Sequence, residues 1–254
     1  MIYTSSYWIR HFKANACQKR VDWAIAPDIT QQEMNTILHS LQAWQLGETS
    51  EGTHLIAAAT RYARQIGDPD YVEAIRLFIK EEQKHGNNLG RYLDRINQNR
   101  VAHNWGDSLF RKIRYFNTSM EIWTLAVITV ESTAQIFYQA LKNATNCQLL
   151  KDICTDILID EAHHITFQAD RLEIIFENKA AFSKAWRAPV YKVFFYATAC
   201  LVWYAHKKLF KAGGITFVTY LKKMRYKYNK TLKGLAGTGL VQWANHKYFP
   251  ISKY

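Results

Sequence analysis

Four prolines and eleven glycines in 254 residues leave long stretches with nothing to interrupt a helix. With 48% hydrophobic and 14% aromatic residues the chain can bury a sizeable core, which argues against disorder. Its four cysteines, Cys17, Cys147, Cys154 and Cys200, form no Cys-x-x-Cys pair, so neither a zinc ribbon nor a rubredoxin-type iron centre is indicated. The longest apolar or weakly polar run, Val193 to Ala205, covers only thirteen residues, too few to span a bilayer. Met1 to Arg20 is polar and charged, unlike a secretory leader, and the expected location is cytoplasmic, with attachment at a membrane surface as an option.

Acid is missing from one whole part of the chain. Residues 178–254 hold 15 Lys+Arg and no Asp or Glu, whereas residues 1–177 hold 18 Lys+Arg against all 21 acids. Such asymmetry implies an anionic partner. An acidic carrier protein, an acidic electron donor or an anionic membrane surface suits it. Nucleic acid is disfavoured, because no recognisable nucleic-acid module accompanies the charge.

Two short stretches repeat. Glu81-Glu82-Gln83-Lys84-His85-Gly86 and Asp160-Glu161-Ala162-His163-His164 each place an acid, a Glu, two further residues and a His. On a helix, i and i+3 share a face, so Glu82 aligns with His85 and Glu161 with His164. Glu51 precedes Glu82 by 31 residues and Glu131 precedes Glu161 by 30. The midpoints fall at the helix stop Gly67-Asp68-Pro69 and the polar break around Asn146, as in two hairpins that bring their acids level. A Glu from each of two helices plus Glu-x-x-His from each of two more is the ligand set of ferritin-like dinuclear carboxylate bundles. The metal ligands expected from spacing are therefore Glu51, Glu82, His85, Glu131, Glu161 and His164. Glu48 is a rival for the first helix, one turn from Glu51 on the same stripe, and His54 repeats the Glu-x-x-His relation as a further ligand candidate. Glu81 and Asp160, one step off the ligand face, are expected to accept from the histidines crosswise: Asp160 from His85 and Glu81 from His164. Leu89 and Gln135, one turn beyond His85 and Glu131, are expected to line the substrate pocket. Surface salt bridging would explain one Glu-x-x-His pair, but not two at matched distances from inward acids.

In order along the chain, residues 1–30 form an N-terminal packing segment with a short helix. Residues 31–178 form the all-α four-helix bundle, opening at the capping-box pattern Thr30-Gln31-Gln32-Glu33. Its helices are expected at about 31–66, with a division near Gly47, then Asp68 to Asn99, Ser108 to Lys142 and Cys147 to Asn178. Residues 179–254 form a basic, aromatic extension with two further helices, Phe182 to Ala212 and Ile215 to Lys233, and a tail from Gly234.

The stretch Glu81 to Leu93 resembles the Glu-Glu-x-Arg-His-Gly-x-x-Leu-x-Lys-Tyr-Leu motif of soluble acyl-carrier-protein desaturases, and Asp160-Glu161-Ala162-His163-His164 resembles their second motif, Asp-Glu-x-Arg-His. The resemblance covers about residues 45–175. Lys84 stands in place of the motif's arginine, and no tyrosine follows His85 by four, where ribonucleotide reductase small subunits carry their radical residue. The resemblance implies an oxygen-activating di-iron oxidoreductase of the ferritin-like superfamily. It would use two iron ions per chain, or a Mn/Fe pair, and an external electron donor. Its target would be a C–H bond of a lipophilic or carrier-bound substrate, and a homodimer is compatible with such a bundle. The alternative is a ferroxidase or peroxide-scavenging, rubrerythrin-like protein.

Overall fold

The computed structural model describes residues 2–103, 119–177, 179 and 181–231. The expected helix start near Ser108 and the tail from Gly234 lie outside them. Among the described residues there are eight helices and no strand: α1 (Ser5–Ala16), α2 (Gln31–Glu48), α3 (Thr53–Ile66), α4 (Asp70–Arg95), α5 (Met120–Asn143), α6 (Gln148–Glu177), α7 (Ala181–Ala212) and α8 (Phe217–Thr231).

Local chemistry sets most of these boundaries. Thr30 accepts from the Glu33 backbone amide while Glu33 reaches back to Thr30, closing the capping box that starts α2. Gly67 ends α3 in the left-handed conformation, at φ 68°. The expected division of the first bundle helix is real but sits at residues 49–52 rather than at Gly47. Gly52, at φ 65°, caps α3, and a side chain there would strike Ile79.

The bundle comprises the broken α2–α3 pair, α4, α5 and α6. The α5 and α6 helices pack along each other, and α4 is held between α2, α3 and α1. The α7 helix lies over α5 and α2, and α8 over α7 and α5. Two apolar clusters fill the interior. One gathers Trp8, Phe12, Leu55, Phe78, Trp123 and Phe167; the other runs from Leu41 and Leu89 through Phe137 and Ile157 to Phe210. On α4 the polar pair Glu82 and His85 falls between Phe78 and Leu89, and on α6 Glu161 and His164 fall between Ile157 and Phe167. A layer of carboxylates and imidazoles is thus enclosed between two apolar layers, where charge without a partner is costly.

Candidate metal centre

Within that layer, six side chains from four helices converge. Glu48, Glu82, His85 and Glu161 each offer one atom within 4.8 Å of the others, and so do Glu82, Glu131, Glu161 and His164. Glu82 and Glu161 belong to both groups. The structure therefore brings together five of the six ligands expected from spacing and replaces the sixth. Glu48, not Glu51, completes the first group. The reason is the break after α2. An unbroken helix would carry Glu51 on the inward stripe. Because α2 stops at Glu48, residue 51 falls in the connection and is exposed. His54, in the first turn of α3, is exposed as well and stands in neither group. Both line the cavity described below rather than the cluster itself.

Glu48 is held from behind. Its Oε1 accepts from the Tyr138 hydroxyl at 2.6 Å and from Trp44 Nε1 at 2.9 Å. Trp44 is fixed in turn by stacking on Phe137, ring centroids 4.0 Å apart. Gly86 lets α2 come this close to α4, since a Cβ there would meet Thr49 Cγ2 at 2.9 Å and the Glu48 carbonyl carbon at 3.2 Å.

Both histidines are oriented by carboxylates on the opposite helix. His85 Nε2 lies 3.0 Å from Asp160 Oδ2, and His164 Nε2 lies 2.8 Å from Glu81 Oε2, the crosswise pairs expected from the motif. With Nε2–H donated outward, each Nδ1 faces the layer. Asp160 is also held by Arg20, at 2.9 Å, and by Lys84, at 2.6 Å; both cations reach Asp156 too. Asn15, from α1, donates to Asp160 at 2.8 Å and also to Glu81, so one amide ties both supporting acids together. Asn15, Arg20 and Asp156 carry no motif that sequence reading could isolate. Asp156 does stand one turn before Asp160 on the same face of α6. Lys84 sits inside the first motif, where its spacing alone reads as surface charge.

The electrostatics divide the cluster. Burial works against ionising Asp160, but its contacts with His85 and Lys84 hold it far below the usual carboxylate range. Burial likewise opposes Glu81, and His164 outweighs it. Three of the four inward acids behave differently, Glu131 alone being held low against its burial by Glu161 and His164. Burial and then the charge of Glu82 push Glu48 well above its ordinary value; burial and then Glu131 do the same to Glu161 and raise Glu82. Burial opposes the imidazolium of His164, yet surrounding carboxylates, Glu82 foremost, raise it well above normal. Carboxylates that raise one another in this way are relieved by shared cations.

The donor set fits two metal ions by a further observation. Glu82 Oε1, His85 Nδ1, both oxygens of Glu161 and His164 Nδ1 are buried without a hydrogen-bond partner. His164 Nδ1 is only 2.7 Å from Glu82 Oε1, yet the two are not aligned as donor and acceptor. They converge on common points, as ligand atoms do. Oxygen and imidazole donors without thiolate suit iron or manganese.

Beside the layer lies a cavity of about 440 Å³ that Glu48, Glu82 and Glu131 reach. Its other walls include Trp123, Ala126, Val127, Val130, Val202 and Ala205. Leu89 and Gln135 are not among them: Leu89 is packed in the apolar core and Gln135 is half-buried on α5. The cavity lies toward α3 and α7 because the α2–α3 break opens the bundle there.

No family model matches the chain, and no curated protein does. Solved structures do. One is an R2-like ligand-binding oxidase variant with an aerobically reconstituted Mn/Fe cofactor, at TM-score 0.63 and 16% identity, covering 91% of this chain and 93% of that one. Another variant, anaerobically reconstituted with Mn/Fe, gives TM-score 0.61 at 14% identity over 92% and 93% of the two chains. The chain accordingly has the all-α, ferritin-like bundle fold of these solved structures.

Proposed function

We propose that this protein is an oxygen-activating dinuclear metal oxidoreductase, loaded with two iron ions or a Mn/Fe pair, that oxidises a C–H bond of an apolar substrate held in the 440 Å³ cavity. The observation that carries the reading is the pair of overlapping groups sharing Glu82 and Glu161, with inward atoms of Glu82, His85, Glu161 and His164 left without hydrogen bonds. The similar oxidases with Mn/Fe cofactors support the choice of metals.

Glu48, Glu82, His85 and Glu161 would hold one ion and Glu82, Glu131, Glu161 and His164 the other. The centre supplies O₂ reduction chemistry when loaded. The chain's own residues do the rest. Asp160 and Glu81 keep Nε2 of each histidine protonated so that Nδ1 stays a lone-pair donor. Tyr138 and Trp44 aim Glu48. Arg20 and Lys84 balance the charge of Asp156 and Asp160 behind the centre. The cavity is of a size that takes a small organic ligand, and its apolar walls displace water from the side where a C–H bond must approach. No cysteine pair offers a built-in electron relay, so a separate reductant is required.

Anaerobic loading with Fe(II), alone or with Mn(II), followed by O₂, tests the reading. Two ions bound per chain, an optical change on oxygenation, and an oxidised product from an added acyl substrate are expected. Binding of fewer than two ions overturns it. Turnover of hydrogen peroxide or Fe(II) alone, with no substrate oxidised, moves the protein to the ferroxidase or peroxidase class.

A further inference from the structure

The α7 helix has two faces with different tasks. Val202, Ala205 and His206 turn inward and wall the cavity. The outward face carries Trp186, Val190, Val193, Ala197, Cys200 and Tyr204, spaced alternately by four and three residues. All six are exposed, Val193 at 70%, Tyr204 at 67% and Val190 at 54%. At 1.5 Å per residue this stripe is about 27 Å long. Isolated exposed apolar residues need no explanation, but six in register on one helix face do.

Charge selects what covers it. Just beyond a kink at His206, Lys207, Lys208 and Lys211 are exposed at the end of the stripe, and Lys192 borders it. On the neighbouring α8, Lys222, Lys223 and Arg225 are exposed; Lys227 is half-buried, and burial pushes its ammonium down to about 8, so it is not part of this surface. No acid occurs from residue 178 onward. A second copy seated stripe to stripe would find no opposite charge on either helix, whereas helix pairs across such seams ordinarily use flanking charges of both signs. A tryptophan near one end, a tyrosine toward the other and lysines along the rim instead match a helix lying in a lipid headgroup layer. Among the described residues no helix is long and apolar enough to cross a membrane, so contact would be at the surface.

We infer that the outward face of α7 docks on an anionic lipid surface, with Trp186, Val190, Val193 and Tyr204 entering the headgroup boundary and Lys207, Lys208 and Lys211 meeting lipid phosphates or carboxylates. The cavity lies on the other side of the same helix. The surface is independent of the metal centre, so its test does not depend on catalysis.

Co-sedimentation of the metal-loaded full chain with vesicles of phosphatidylcholine alone, and of phosphatidylcholine mixed with phosphatidylserine, reads the proposal. Binding to the mixed vesicles, weak binding to the neutral ones, and loss near 1 M salt are expected. Each neutralised lysine costs about fivefold in partitioning, so Lys208→Gln with Lys211→Gln should lose roughly thirtyfold. Val190→Glu with Val193→Glu should abolish binding while metal content and melting temperature stay unchanged. Equal partitioning of wild type and both variants overturns the proposal. So does a wild-type dimer in sedimentation equilibrium that the valine variant dissociates, since the stripe would then be a subunit contact.

Discussion

Glu161 is where perturbing the centre should give the clearest answer. It has no exposed surface, neither oxygen is hydrogen-bonded, and it belongs to both ligand groups. Without metal, burial and then the charge of Glu131 push its carboxyl well above the ordinary range. A raised folded pKa means that the folded chain holds the proton more tightly than the unfolded one. The stabilisation is complete below the unfolded value and is lost as pH rises through the folded one. As pH rises above the unfolded value, Glu161 therefore increasingly burdens the metal-free fold. Glu161→Gln removes the charge. A buried unsatisfied polar group costs about 1–3 kcal/mol, and a chain of this size shifts its Tm by about 2–4 °C per kcal/mol. The metal-free variant should melt at or above wild type, by up to about 10 °C. Loading has the opposite sign: ions at roughly a thousand times their Kd add about 4 kcal/mol, or about 8–16 °C. The variant, lacking the carboxylate common to both groups, should lose most of that rise. Scanning calorimetry with and without anaerobic Fe(II) reads both effects. A variant that melts well below wild type when metal-free, yet keeps the full metal-induced rise, would refute the assignment.

Glu48→Gln should reduce bound iron below two per chain while Glu51→Gln leaves it at two, measured by elemental analysis; the reverse result would return the first-helix ligand to residue 51. Gly86→Ala should destabilise by about 1–3 kcal/mol through overpacking and should displace Glu48, lowering both Tm and metal occupancy. Asp160→Asn should cost about 10–100-fold in metal affinity, read by competition with a chelator; unchanged affinity would make the Asp160 contacts merely structural. His206 is buried against Trp44 and Phe137, accepts or donates at Ser40, and is pushed by burial to about 4. Its depressed pKa contributes stability present above the unfolded value near 6.5 and lost as pH falls toward 4, by about 1.4 kcal/mol per pH unit. Urea melts should show wild type losing more stability than His206→Gln across that window, and parallel curves would mean that His206 remains hydrated.

The two Glu-x-x-His motifs, together with the spacing of Glu131 from Glu161, were sufficient to determine an all-α bundle, its hairpin turns, and five of the six converging side chains. Helical periodicity is local, and i, i+3 spacing places two side chains on one face wherever the helix is unbroken. The crosswise pairs of Asp160 with His85 and Glu81 with His164 were legible for the same reason. Spacing favoured Glu51 over Glu48, because both lie on one stripe until a connection interrupts it, and only the packing of Gly52 on Ile79 and of Gly86 on Thr49 places that interruption after Glu48. Asn15 and Arg20 were invisible for a different reason. Their contact with Asp160 spans more than a hundred residues and depends on α1 lying across α4, a docking that no short-range pattern encodes. The cavity, too, belongs to the tertiary structure: its walls come from α2, α3, α4, α5 and α7, and its position follows from where the first bundle helix breaks.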